Sequence, residues 1–62
     1  MLEWENHNNY PMLIARSPAG KGGAFRIFYD DVVYWDSFSG MSPTQDINLI
    51  KSKAQEIHDA YK

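Results

Sequence analysis

Between Ala24 and Ser37 the chain reads AFRIFYDDVVYWDS, and large apolar residues fall on both sides of any ribbon this stretch can form. Successive residues of a strand point to opposite faces, so a half-solvated sheet alternates apolar with polar. Here Phe25, Ile27 and Tyr29 point one way while Phe28 points the other. On the return strand Val33 and Trp35 oppose Val32 and Tyr34. One amphipathic helix can cover one face of such a hairpin. The other face needs a second cover, and that requirement directs the functional reading.

Little else in a chain of 62 residues can supply the cover. A domain of this size buries roughly 60% of the surface its unfolded chain exposes and is marginally stable. With no cysteine there is neither a disulfide nor a thiolate metal site to help. The apolar load comes from two Trp, four Tyr and three Phe. The net charge of −2 gives no general attraction to nucleic acid or anionic membranes. The start of the sequence has no basic, apolar leader. Apolar runs such as Met12–Ala15 fall far below the roughly 20 residues of a membrane span. A cytoplasmic location, with no membrane association and no cofactor, is the expectation.

Leu2–Glu5 alternates apolar and acidic residues and predicts a short strand. His7-Asn8-Asn9 predicts a turn, and Tyr10–Arg16 a second strand with Pro11 near its start. Ser17–Gly23 is a flexible connection to strands at 24–29 and 33–37. The turn after Tyr29 sets which side chains share a face, because a one-residue slip exchanges the faces. A two-residue loop would pair Tyr29 with Val32. A three-residue loop through Val32 would pair Tyr29 with Val33 and Ile27 with Trp35. The odd loop is favoured because it gathers Phe25, Ile27, Tyr29, Val33 and Trp35.

Ser42-Pro43-Thr44-Gln45 has the form of a capping box with proline at the first helical position. It predicts a helix over 43–61, roughly 28 Å long. Ile47, Ile50, Ala54, Ile57 and Tyr61 form a stripe about 80° wide on it, with Leu49 nearly opposite. The expected fold is α+β: a three- to four-stranded antiparallel sheet, order β-β-β-β-α, with the C-terminal helix on one face of a single domain 1–62.

Catalytic and metal signals are weak. Ala19-Gly20-Lys21-Gly22-Gly23 lacks the earlier glycine, the Ser or Thr and the following helix of a phosphate loop, so a mobile hairpin loop is expected. His7 and His58 have no second ligand at helical or hairpin spacing. Asp30 and Asp31 adjoin at a turn tip, where solvated acids are the ordinary outcome. No enzyme activity is expected. Arg16, Lys21 and Arg26 are half of the positive charge and suggest an alternative, nucleic-acid binding with Phe28 and Tyr34 as a stacking platform. Against it, Glu3, Glu5, Asp30, Asp31 and Asp36 outnumber them over residues 1–42. The favoured site is an apolar patch of Leu13, Phe28, Val32, Tyr34 and Phe38, with Leu13, Phe28 and Tyr34 as anchors and Asp30, Asp31 and Asp36 as charged rim.

Trp4, Ala15-Arg16-Ser17, Gly23, Phe25-Arg26-Ile27, Tyr34-Trp35 and Lys53-Ala54-Gln55 follow a common outline. In that outline an early tryptophan precedes a strand ending in alanine and a small polar residue, a glycine, two aromatic strands and a helix. On those residues the chain resembles small bacteriophage- and prophage-encoded sheet-plus-helix proteins. It departs from them in the helix, where Ile50-Lys51-Ser52 replaces alanines. The resemblance implies an inhibitor or adaptor that binds a host or defence protein complex, for example a CRISPR effector. A homodimer pairing second faces or edge strands is the competing use of the same patch.

Overall fold

In a computed structural model describing residues 1–61, four antiparallel strands precede one helix. The strands are β1 (Glu5–Asn6), β2 (Met12–Arg16), β3 (Ala24–Tyr29) and β4 (Tyr34–Asp36), in spatial order 1-2-3-4. The helix α1 spans Ile47–Ala60. This is the expected α+β arrangement. β1 starts three residues later than predicted because Leu2 and Trp4 leave the sheet edge to pack on the core.

The β2–β3 connection is tight. Ser17 N–H donates to the Gly23 carbonyl at 3.0 Å, and Lys21–Gly23 makes a short 3-10 turn. Gly22 sits at φ 68, a left-handed value that side chains rarely adopt. At Gly20 a Cβ would strike the backbone of Ala24, so the loop closes onto the sheet because that position carries no side chain. β3 follows directly, with no helix behind the lysine.

The β3–β4 register differs from both sequence alternatives. Tyr29 pairs with Tyr34, Phe28 with Trp35 and Ile27 with Asp36, which leaves four residues, 30–33, in the loop. Asp30 causes this. Its Oδ1 accepts from the Val32 and Val33 amides at 2.9 Å each, removing two valines that look like strand from the ladder. Directly opposed residues share a face. Tyr34 and Asp36 therefore join Phe25, Ile27 and Tyr29, while Trp35 joins Phe28. The predicted grouping of Trp35 and Val33 with Phe25 is corrected accordingly.

The helix begins four residues later than the capping box implied. Thr44 exchanges backbone bonds with Tyr34, 2.7 Å and 2.9 Å, which holds the chain extended beyond β4. Ser42 precedes proline, a position biased against helix. Asp46 is the actual N-cap, its Oδ1 accepting from Asn48 N–H at 3.0 Å. Fourteen residues give a rod of about 21 Å.

The core lies between this rod and one sheet face. Leu2, Ala15, Phe25 and Ala54 form its centre, with Trp4, Ala19, Phe38 and Ile57 packed around it. Ala15 and Ala54 have no bulk to separate helix from sheet. Ile27 and Ile50 are both 0% exposed. Leu49 is exposed, as its position opposite the stripe requires, and Tyr61 lies past the helix end. Among the described residues no helix is long and apolar enough to cross a membrane.

Candidate functional site

The register assigns every strand side chain to one of two faces. On the helix side lie Leu13, Ala15, Phe25, Ile27, Tyr29, Tyr34 and Asp36. On the other side lie Glu5, Met12, Ile14, Arg16, Ala24, Arg26, Phe28 and Trp35. The second side is bordered at Glu5, Ile14 and Arg16 by Met1, Leu2, Glu3 and His58 of α1. Its centre is the cross-strand pair Phe28–Trp35, rings 6.2 Å apart and 22° from parallel. Trp35 keeps 36% of its surface exposed despite this contact, and Phe28 is half-buried.

Apolar surface continues to one end of the sheet. Tyr29 N–H donates to the Pro11 carbonyl, which places the 7–11 turn beside the 30–33 turn. The tips of these turns expose Tyr10 by 64% and Val32 by 62%. Met12, paired with Phe28 across β2 and β3, is buried. The opposite end of the same face is cationic. Arg26 Nη1 donates to the Lys21 carbonyl at 3.1 Å, which draws the glycine loop and its lysine to that end. Arg16 pairs with Ala24 on the adjacent strand, diagonal to Arg26. Among the described residues the one ion pair is Lys53–Glu56 on the helix, so neither guanidinium is within 4.0 Å of a carboxylate.

The sequence-derived patch is therefore split between the two sides. Val32 is exposed, and Phe28 is half-buried on the second side. Leu13 is opposite Ile27 and half-buried on the helix side. Tyr34 sits there too, tilted against Tyr29 at 6.1 Å. Phe38 packs edge-on against the Phe25 ring, 4.9 Å away, as part of the core. The three rim acids also separate. Asp31 is exposed. Asp30 organises its own turn, and the Val32 and Val33 amides hold its carboxyl below the ordinary 3.8. Asp36 accepts from Phe38 N–H, Ser39 N–H and Ser39 Oγ–H at 2.9, 2.7 and 2.8 Å. That carboxylate ties the β4 exit loop together. Arg16, Lys21 and Arg26 all lie at the glycine-loop end of the β2–β3 pair, with Arg26 bonded to the Lys21 carbonyl. Sequence reasoning missed Trp35, whose face is set by the capture of two amides by Asp30, and Met12, whose face is set by its pairing with Phe28.

His58 and Ser17 meet, with Nδ1 2.6 Å from Oγ. Ser17 is 3% exposed and its oxygen also accepts from Ala19 N–H at 3.2 Å. The pair joins the last turn of the helix to the end of β2. A serine so enclosed offers a substrate no path to its hydroxyl, so the contact is structural. His7 Nδ1 accepts from Asn9 N–H at 3.0 Å within its turn. Among the described residues no three His, Cys, Asp or Glu side chains converge. A groove of about 670 Å³ runs between Met1–Trp4 and the helix, lined by both apolar and charged groups such as Lys51 and Glu56. Among the described residues no buried side-chain polar atom lacks a hydrogen-bond partner. No protein-family model, curated protein or solved structure matches the chain.

Proposed function

We propose that this protein is a small protein-interaction module whose contact surface is the sheet face opposite the helix. The observation that carries this is the register of β4, which sets Trp35 beside Phe28 on the side opposite the helix. Aromatic residues, Met and Arg are the types enriched where proteins meet, and truncations at Trp and Arg dominate binding losses. Met12, Phe28, Trp35, Arg16 and Arg26 are such a set on one face. Following the outline shared with small phage proteins, the partner would be a host or defence protein complex, blocked when this face occupies part of its surface.

Affinity capture from host lysate with mass spectrometry tests the proposal, comparing the wild type with a Phe28→Ser/Trp35→Ser double variant. The expected result is a partner lost from the double variant and kept by Leu49→Ser, which changes a more exposed apolar residue on the helix. Cooperative urea unfolding of the double variant shows that the loss is at a surface. A partner retained by the double variant defeats the proposal. A double variant that cannot fold would place Phe28 and Trp35 in the core instead.

A further inference from the structure

The open face is uneven in charge, and this narrows the kind of partner it fits. Arg26 is two residues from Phe28 along β3, so their side chains leave the same face about 7 Å apart. Arg16 is the diagonal neighbour of Arg26 across β2 and β3, a separation of roughly 7–8 Å. One apolar anchor and two cations thus lie within the span of a few residues of an extended segment. Among the described residues no carboxylate lies within 4.0 Å of either cation, and Arg26 spends one donor on the Lys21 carbonyl. Five donors in a fixed fork match carboxylate geometry better than any neutral group.

Resting on the proposal that this face is the contact surface, we infer that its partner is an acidic protein segment. An apolar side chain of that segment sits on the Phe28–Trp35 pair, and Asp or Glu side chains two to four residues away meet Arg26 and Arg16. A nucleic-acid strand fits less well. Glu5 stands on the same face opposite Ile14, and Asp31 is exposed on the 30–33 turn at the aromatic end. A run of phosphates along the sheet would meet Asp31 at one end and Glu5, the diagonal neighbour of Arg16, at the other. A short acidic segment carries fewer charges past them.

A synthetic peptide array tests this, with one Leu-Trp-Leu core flanked by Glu, by Lys or by Ser, probed with labelled full-length protein. Labelled single-stranded oligo-dT serves as the competing probe. The expected result is strongest binding to the Glu-flanked peptides, weakened about tenfold by Arg16→Glu/Arg26→Glu, with preference shifting to the Lys-flanked set. Arg16→Glu alone, at an exposed position with no bond to the loop, gives a smaller shift in the same direction. Equal binding to all three sets, or to none, overturns the inference, as does tighter binding to oligo-dT. If binding is indifferent to charge but lost in Phe28→Ser/Trp35→Ser, the contact face stands and the acidic partner falls. If that double variant binds every probe as the wild type does, the contact face itself falls.

Discussion

The two sides of the sheet are built from similar residues and end in different states. One side carries Phe25, Ile27, Tyr29 and Tyr34, and the other carries Phe28, Trp35, Met12 and Ile14. Phe25 and Ile27 are sealed under α1, whereas Trp35 keeps a third of its surface in water. Composition does not separate the two sides. Coverage does, and a helix with a single narrow stripe, Ile50 and Ala54 at its middle, can cover one side of a sheet. On the opposite side Met12 and Ala24 are buried, while Trp35 remains partly in water.

Truncation on each side is the sharpest way to break this contrast. Phe25→Ala empties a site enclosed by Leu2, Ala15, Ala54 and Phe38, and is expected to cost roughly 3–5 kcal/mol. A domain of this length has a total stability on the order of 3–9 kcal/mol. That variant should be largely unfolded, or close to it, in urea titrations. Phe28→Ala removes a half-buried ring and one aromatic contact, with an expected cost of about 1–2 kcal/mol. Equal losses at the two positions would mean that both sides are core, and the case for a contact face would end.

A smaller effect tests the covering element. Asp46→Ala removes the oxygen that accepts from Asn48 N–H and should cost about 1 kcal/mol, by chemical denaturation. Ser42→Ala should change stability by a few tenths at most, because Ser42 is exposed and four residues outside the helix cap. The reverse ranking would restore the longer helix that Ser42-Pro43-Thr44-Gln45 suggests.

How far the sequence could be read follows from which interactions are local. Strand 24–29 and the apolar stripe of the helix were legible, since periodicity over several residues records which side of an element is buried. The helix start was not. The capping box is a real local preference, but the two backbone bonds between Thr44 and Tyr34 join residues ten apart and hold that segment extended. The joining of Ser17 to His58 was equally hidden, the two being 41 residues apart. The site suffered most from a single turn. Val32 and Val33 carry strand propensity, yet Asp30 takes both of their amides, and the loop grows from the expected three residues to four. One residue of difference sent Tyr34 to the helix side and Trp35 to the open side. Leu13 failed for a related reason, because its face depends on pairing with Ile27 across the glycine loop. That Arg16, Lys21 and Arg26 lie at one end of the sheet was legible, because the loop 17–23 joins the ends of β2 and β3.

The turn that decides the two faces also gives the smallest and most specific test. Asp30 is fully exposed, and its carboxylate is held below 3.8 by the amides of Val32 and Val33. A group with a depressed folded-state value stabilises the fold above its unfolded value, and that contribution disappears as pH falls through the folded value. Asp30→Asn keeps an acceptor oxygen for the turn but cannot titrate. The stability difference between wild type and Asp30→Asn should therefore be constant well above pH 3.8 and shrink steadily as pH drops below it, because the unfolded chain binds the proton first. Other carboxylates titrate in both proteins and cancel in the difference. Paired denaturation curves across that range measure it. A difference that does not change with pH would show a carboxylate free of the Val32 and Val33 amides. The four-residue loop would then lose its cause, and the placement of Trp35 beside Phe28 would lose its footing with it.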